Sequence, residues 1–176
     1  MRKGEPAGGS GRKEENMRIE AKLEELGLSL PGPPQIPPGV QVSFAWVRVH
    51  EGRAYVAGHG PQNPDGSIAE PFGKVGAELS AEEGYRAARL TALSVLSSLK
   101  RELGDLDRVT AWLMVYGLVN AVPDFTLTTN VVNGFSDLIV ELYGPEAGTH
   151  ARIAPGMATL PLGLPVTIAA EVATSL

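Results

Sequence analysis

His150 to Val172 reads HARIAPGMATLPLGLPVTIAAEV. Two apolar segments flank a Leu-Pro-Leu-Gly-Leu-Pro corner, the pattern of two strands joined by a turn. Arg152 stands at the leading edge of this stretch, and no other acidic or basic residue follows until Glu171. A cation entering such a run must be solvated, paired, or facing an anion, because a buried unpaired charge is costly.

Upstream, the same reading yields a chain of alternating strands and helices. Met1 to Glu15 is Gly-rich, charged and nearly free of large apolar residues, so it is expected to stay disordered, and Met17 is an alternative start. Ile19, Leu23 and Leu26 recur at helical spacing before Gly27, which predicts a short amphipathic helix. Pro31 to Gly39 reads as an extended linker. The domain proper is therefore expected over residues 40–176, preceded by a helix-and-linker segment over 16–39. A hairpin follows, with strands over Gln41–Val49 and Arg53–Gly58 joined at Glu51-Gly52. His59 to Ser67 carries turn chemistry, and Lys74 to Ala77 reads as a short third strand.

Ser80 with Glu83 forms a capping-box signature, and Tyr85, Ala88, Ala92, Val95, Leu99 and Leu103 trace one helical face up to Gly104. Arg108 to Val119 is apolar at odd and even positions, as in a strand buried on both faces. A second helix is expected to open at Pro123-Asp124, with Leu127, Val131, Phe135, Leu138 and Leu142 inward, and to close at Gly144-Pro145. The fold class is α+β, a mixed β-sheet with two helices packed on one face. Its other face is expected to be covered by another subunit.

Composition narrows function. The 176 residues carry a net charge of −5 and no cysteine, which excludes disulfides, thiolate metal sites and a cysteine nucleophile. The acidic balance argues against nucleic acid as a partner. No apolar run reaches the about 20 residues of a membrane span, so membrane partners are not expected and a cytoplasmic location is. His50, His59 and His150 lack ligand spacing, so neither a metal nor another cofactor is expected.

Ala57-Gly58-His59-Gly60-Pro61, Asn120 at the end of the buried strand, and Ala151-Arg152 with Leu160-Pro161 occur here in order. That ordered set resembles the RidA (YjgF-like) family, of chorismate-mutase-like fold. The N-terminal helix and the wording VNAVPDF and NGFSDL mark a branch with an extension. The resemblance implies a homotrimer with clefts between subunits, in which Arg152 holds a small carboxylate ligand. Family activity is hydrolysis of enamines or imines to 2-keto acids and ammonia, an imine deaminase reaction.

Carried over position by position, substrate contact falls to Arg152, Asn120, Gly58, Ala154 and Phe44. Thr167 stands where the family has its acid–base glutamate, Phe44 where it has a tyrosine, Ala57 where it has a serine, and Ala154 where a cysteine is common. The expectation is carboxylate binding with deamination weak or lost. Glu171 lies on the same strand face as Thr167 but about 13 Å away, too far to replace the missing acid. The alternative is a non-catalytic ligand sensor or trimeric interaction module. Chorismate-mutase-like rearrangement would need a dense cationic pocket, with Arg48, Arg53 and Arg89 gathered near Arg152. Endoribonuclease activity, also ascribed to the family, is disfavoured by the acidic charge. His59 is read as a cap on loop carbonyls, and Tyr116 as a core phenol.

Overall fold

The computed structural model describes residues 18–175, so the expected disordered tail and the alternative start at Met17 lie outside the described residues. In chain order the elements are α1 (Arg18–Glu25), β1 (Val47–His50), β2 (Arg53–His59), α2 (Ala81–Leu103), β3 (Val109–Asn120), α3 (Thr128–Gly148), β4 (Ala151–Ile153), β5 (Gly156–Met157) and β6 (Val166–Thr174). The sheet runs β1-β2-β6-β3-β4, with β5 also pairing to β3. β4 and β5 run parallel to β3, and the other pairings are antiparallel, so the sheet is mixed.

Local signals explain the best-defined element. Ser80 Oγ accepts from the Glu83 backbone N–H at 3.2 Å, while the Glu83 carboxylate accepts from the Ser80 backbone N–H at 2.8 Å. These two bonds satisfy amides that the first turn of α2 leaves open. Gly104 ends the helix at φ 81, a left-handed conformation that glycine adopts without steric cost.

α2 and α3 cover one face of the sheet, and their approach is unusually close. A Cβ at Gly134 would lie 2.0 Å from the Tyr85 carbonyl oxygen, and one at Gly117 would lie 2.4 Å from Val132 Cγ1. Those two glycines let helix meet helix and helix meet sheet. The core between the layers includes Trp112, Phe135, Val115, Leu96, Leu138 and Ile168, each at most 2 % exposed.

Several expectations need correction. The first strand is shorter than read: pairing is regular only over Val47–His50, with one further bond from the Ala57 N–H to the Trp46 carbonyl. Residues before Trp46 peel away from the sheet. Lys74 to Ala77 forms no strand, because only Val75 pairs, as an isolated bridge to Ala121 and Leu79. Pro123-Asp124 makes a turn, closed by the Phe125 N–H on the Val122 carbonyl, and α3 begins only at Thr128. Leu127 is consequently 54 % exposed. Helical backbone breaks at Gly144 (φ 76), as read, and a last turn follows it.

β3 is buried on one face only within a single chain. Val115, Gly117 and Val119 face the helices, while Met114, Tyr116 and Leu118 are half-buried on the open face. Tyr116 is thus not a core phenol, and its hydroxyl donates to Glu171 Oε1 at 2.9 Å across that open face.

The segment read as a linker is extended but seated. Ser97 donates its hydroxyl to the Pro31 carbonyl, Gly32 N–H donates to the Pro64 carbonyl, and Gln35 N–H donates to the Gly66 carbonyl. α1 docks through Glu20, which pairs with Lys100 and accepts from the Leu106 N–H, and through Lys22, which donates to the Leu142 carbonyl. Glu20, Asp105 and Asp107 lie close together there, but Lys100 and Arg18 bring cations to them, so the group reads as a docking knot. No described helix is long and apolar enough to cross a membrane.

Candidate functional site

Arg152 sits on β4, opposite Val115 of β3, and its side chain reaches back to α3. Its Nη1 donates to Ser136 Oγ at 2.8 Å, and its Nη2 donates to the Thr129 carbonyl at 3.3 Å. Ser136 lies 2.9 Å from His150 Nε2, and His150 Nδ1 lies 2.7 Å from the Gly148 carbonyl. A carbonyl only accepts, so Nδ1 carries the proton, Nε2 accepts from Ser136, and the serine oxygen faces the guanidinium. This relay holds the arginine by neutral partners alone. Among the described residues no carboxylate lies within ion-pairing distance of it. Partial burial lowers the Arg152 pKa from its ordinary value, with the Asp137 carboxylate opposing the shift. The group remains a cation at any physiological pH.

Asn120 closes the end of β3 and is 5 % exposed. Its Oδ1 accepts from Lys74 Nζ at 2.8 Å, and its Nδ2 donates to the Gly73 carbonyl at 3.3 Å. Lys74 also donates to the Ala158 carbonyl. Lys74 and Ala154 share a cleft of about 600 Å³ with Thr128, Pro155 and Met157. No sequence motif points to Lys74, because 46 positions separate it from Asn120.

Phe44, Gly58 and Thr167 come together elsewhere, in the wall of a cavity of about 310 Å³. A Cβ on Gly58 would lie 2.7 Å from Thr167 Cγ2, so glycine permits this contact of β2 with β6. The Phe44 ring meets Trp46 edge-on with centroids 5.0 Å apart, and Trp46 lies 4.9 Å from the His59 ring. Thr167 Oγ1 is buried and has no hydrogen-bond partner among the described residues.

His59 is 2 % exposed, bonded through Nδ1 to the Ala57 carbonyl at 2.7 Å and through Nε2 to Ser98 Oγ at 2.8 Å. It does cap a carbonyl, and burial, the dominant cause, lowers its pKa to about 4. The histidine is neutral at physiological pH.

One chain therefore places the expected residues in separate groups. Phe44, Gly58 and Thr167 line the cavity at the β2–β6 end. Asn120 is bonded to Lys74, which shares a cleft with Ala154, and Arg152 lies on the edge strand. β2 and β4 are separated by β6 and β3, three strand spacings, or about 14 Å. Arg48 and Arg53 lie on the β1–β2 hairpin and Arg89 pairs with Glu141 at 3.1 Å, so among the described residues no cationic cluster forms around Arg152.

Comparison with known proteins fits this architecture. Residues 65–170 match the family model described as "YjgF/chorismate mutase-like, putative endoribonuclease". Protein TCP17 of Trypanosoma cruzi is 40% identical over 155 residues, covering 88% of this chain and 93% of that protein. The crystal structure of Atu1372 from Agrobacterium tumefaciens, a protein of unknown function, is 34% identical with a TM-score of 0.81, covering 93% of this chain and 96% of that one. A structure from Shewanella oneidensis bearing the same endoribonuclease description is 25% identical with a TM-score of 0.80, covering 88% of this chain and 98% of that one. With the family match spanning more than half of its length, and a 40% identical relative aligned along most of it, this chain belongs to the RidA (YjgF/chorismate mutase-like) family.

Proposed function

We propose that this protein binds a small carboxylate metabolite, a 2-keto or imino acid, in clefts between the subunits of a homotrimer, with Arg152 as the anchor. The observation that carries the reading is the state of Arg152: a fixed, half-buried guanidinium held, among the described residues, only by neutral oxygens. Such a fork binds a carboxylate through two parallel hydrogen bonds. The open sheet face supports the assembly, since Met114, Tyr116 and Leu118 leave apolar surface half-buried there beside the Tyr116–Glu171 hydrogen bond. In such an assembly the Arg152 edge of one subunit faces the Phe44, Gly58 and Thr167 wall of the next.

Hydrolysis of an imine requires a base within hydrogen-bond reach of the attacking water. Thr167 occupies the position of that base, and a hydroxyl can orient water but does not take its proton at neutral pH. Glu171, the acid further along β6, is engaged by Tyr116. Binding therefore outlasts deamination in this chain.

The test is ammonia release from freshly generated 2-aminoacrylate. Wild-type protein is expected to leave the spontaneous rate nearly unchanged, and Thr167→Glu is expected to raise it. Rapid turnover by the wild type would contradict the assignment of Thr167.

A further inference from the structure

The cavity at the β2–β6 end has a roof of unexpected origin. Residues Pro34 to Val42 form part of its wall, and they lie outside the 65–170 family match. That roof is anchored rather than draped. Gln35 donates from its backbone to the Gly66 carbonyl at 3.0 Å and from its side chain to the Asp65 carbonyl at 2.9 Å. Gly66 has no room for a side chain, since a Cβ there would lie 2.1 Å from the Pro33 carbonyl oxygen.

The chemistry of the wall is one-sided. Ile36, Val40, Phe44 and Leu162 all line it, and all four are large apolar side chains exposed to solvent by 38 to 54 %. Scattered exposed apolar residues need no explanation, but a ring of them around one concavity marks a binding site. Leu162 is held there at φ 58, a left-handed conformation that a leucine adopts only at a cost.

Among the described residues no Asp, Glu, Lys or Arg lines the cavity. Its one imidazole, His59, is engaged on both nitrogens. The wall holds two buried polar atoms without partners among the described residues, Gln62 Oε1 and Thr167 Oγ1. The Gln62 amide is fixed by its Nε2, which donates to the Gly66 carbonyl at 2.9 Å. Such orphans are uncommon in native structures.

We infer that the carboxylate ligand carries a bulky, uncharged apolar side chain, branched or aromatic, and that the cavity under the Pro34–Val42 roof receives it. This rests on the reading in which Arg152 of a neighbouring subunit anchors the carboxylate. A cavity of about 150 Å³ lined by Leu, Ile and Phe holds benzene, so about 310 Å³ accommodates a group roughly twice that size. A charged side chain would be buried without a counter-ion, which disfavours dicarboxylates. The Pro34–Val42 segment is thus a specificity element.

The experiment is a calorimetric titration series on the full chain: pyruvate, 2-oxobutanoate, 4-methyl-2-oxopentanoate, phenylpyruvate and 2-oxoglutarate. Affinity is expected to rise about fourfold per buried carbon, hence up to about sixtyfold from pyruvate to 4-methyl-2-oxopentanoate. 2-Oxoglutarate is expected to bind no better than pyruvate. Ile36→Trp, at an exposed rim position, should plug the mouth and collapse the series toward the pyruvate level. Val40→Trp serves as a second plug should the first variant fold poorly.

A flat series, or a series led by 2-oxoglutarate, overturns this inference while leaving the Arg152 anchor intact. A gradient that Ile36→Trp and Val40→Trp both leave unchanged also overturns it. Keto-acid binding that survives in Arg152→Ala, or no binding by any keto acid, overturns the anchor and this inference with it.

Discussion

Two regions of this protein carry opposite chemistry. On the β4 edge, Arg152 presents a full charge, held by Ser136 and the Thr129 carbonyl. Under the Pro34–Val42 roof, the wall is apolar and its polar groups are neutral. The edge can orient a carboxylate but offers little shape. The cavity offers shape but no charge to drive a reaction. The proposed site, assembled from both, would select its ligand by two independent criteria, and Thr167 would not supply the acid–base group needed to turn it over.

The sharpest way to break that contrast is to charge the neutral side. The folded-state pKa of His59 is about 4, below its ordinary value of 6.5, because burial penalises the imidazolium. As pH falls below 6.5 the unfolded chain takes up a proton that the folded chain refuses, so stability is full above that pH and declines down to about pH 4. The loss is about 3 kcal/mol. His150 is shifted in the same direction, also by burial first, and adds to the same slope. Urea midpoints measured at pH 7.5 and pH 4.5 should show the drop, and His59→Gln should flatten most of it. A wild-type midpoint independent of pH would mean that His59 is open to solvent.

A smaller effect probes the charged side. Ser136 is the shared partner of Arg152 and His150. Ser136→Ala should cost about 1 to 2 kcal/mol of stability. It should also weaken keto-acid binding several-fold by freeing the guanidinium, without abolishing it. Chemical denaturation and titration together check both parts, and unchanged affinity would mean that the arginine needs no support.

The smallest expected effect separates stability from binding at the rim. Leu162→Gly relieves a left-handed leucine and removes an apolar wall. Relief of the strain is worth about 1 kcal/mol, offset in part by the freedom glycine gains in the unfolded chain. Thermal melting should therefore change little or rise slightly, while affinity for 4-methyl-2-oxopentanoate falls and that for pyruvate does not.

What was legible in the sequence follows from the range of the forces involved. α2 could be read to the residue because its signals are local: Ser80 and Glu83 three apart, an apolar face, Gly104 at the end. The start of α3 could not, because Pro123-Asp124 serves a turn as well as it serves a helix start, and a single backbone bond from Phe125 to Val122 decides between them. The second short strand, β5, is two residues long and exists only because β3 offers it an edge.

The site divides in the same way. Arg152 was legible as a lone cation in an apolar run. The cavity was not, since its wall combines the N-terminal segment, the end of β2, the loop at Gln62 and the corner at Leu162. No periodicity connects those segments. Lys74 beside Asn120 is likewise a product of the fold, brought in by the bridge of Val75 to Ala121.

The central claim is that Arg152 anchors a carboxylate. Its most direct test is titration of 4-methyl-2-oxopentanoate into wild-type protein and Arg152→Ala under identical buffer and salt. Loss of one partner from a charged hydrogen-bonded pair costs about 2 to 5 kcal/mol, so affinity is expected to fall by about thirtyfold or more, with the variant remaining folded. Equal affinity in the two proteins would contradict the account.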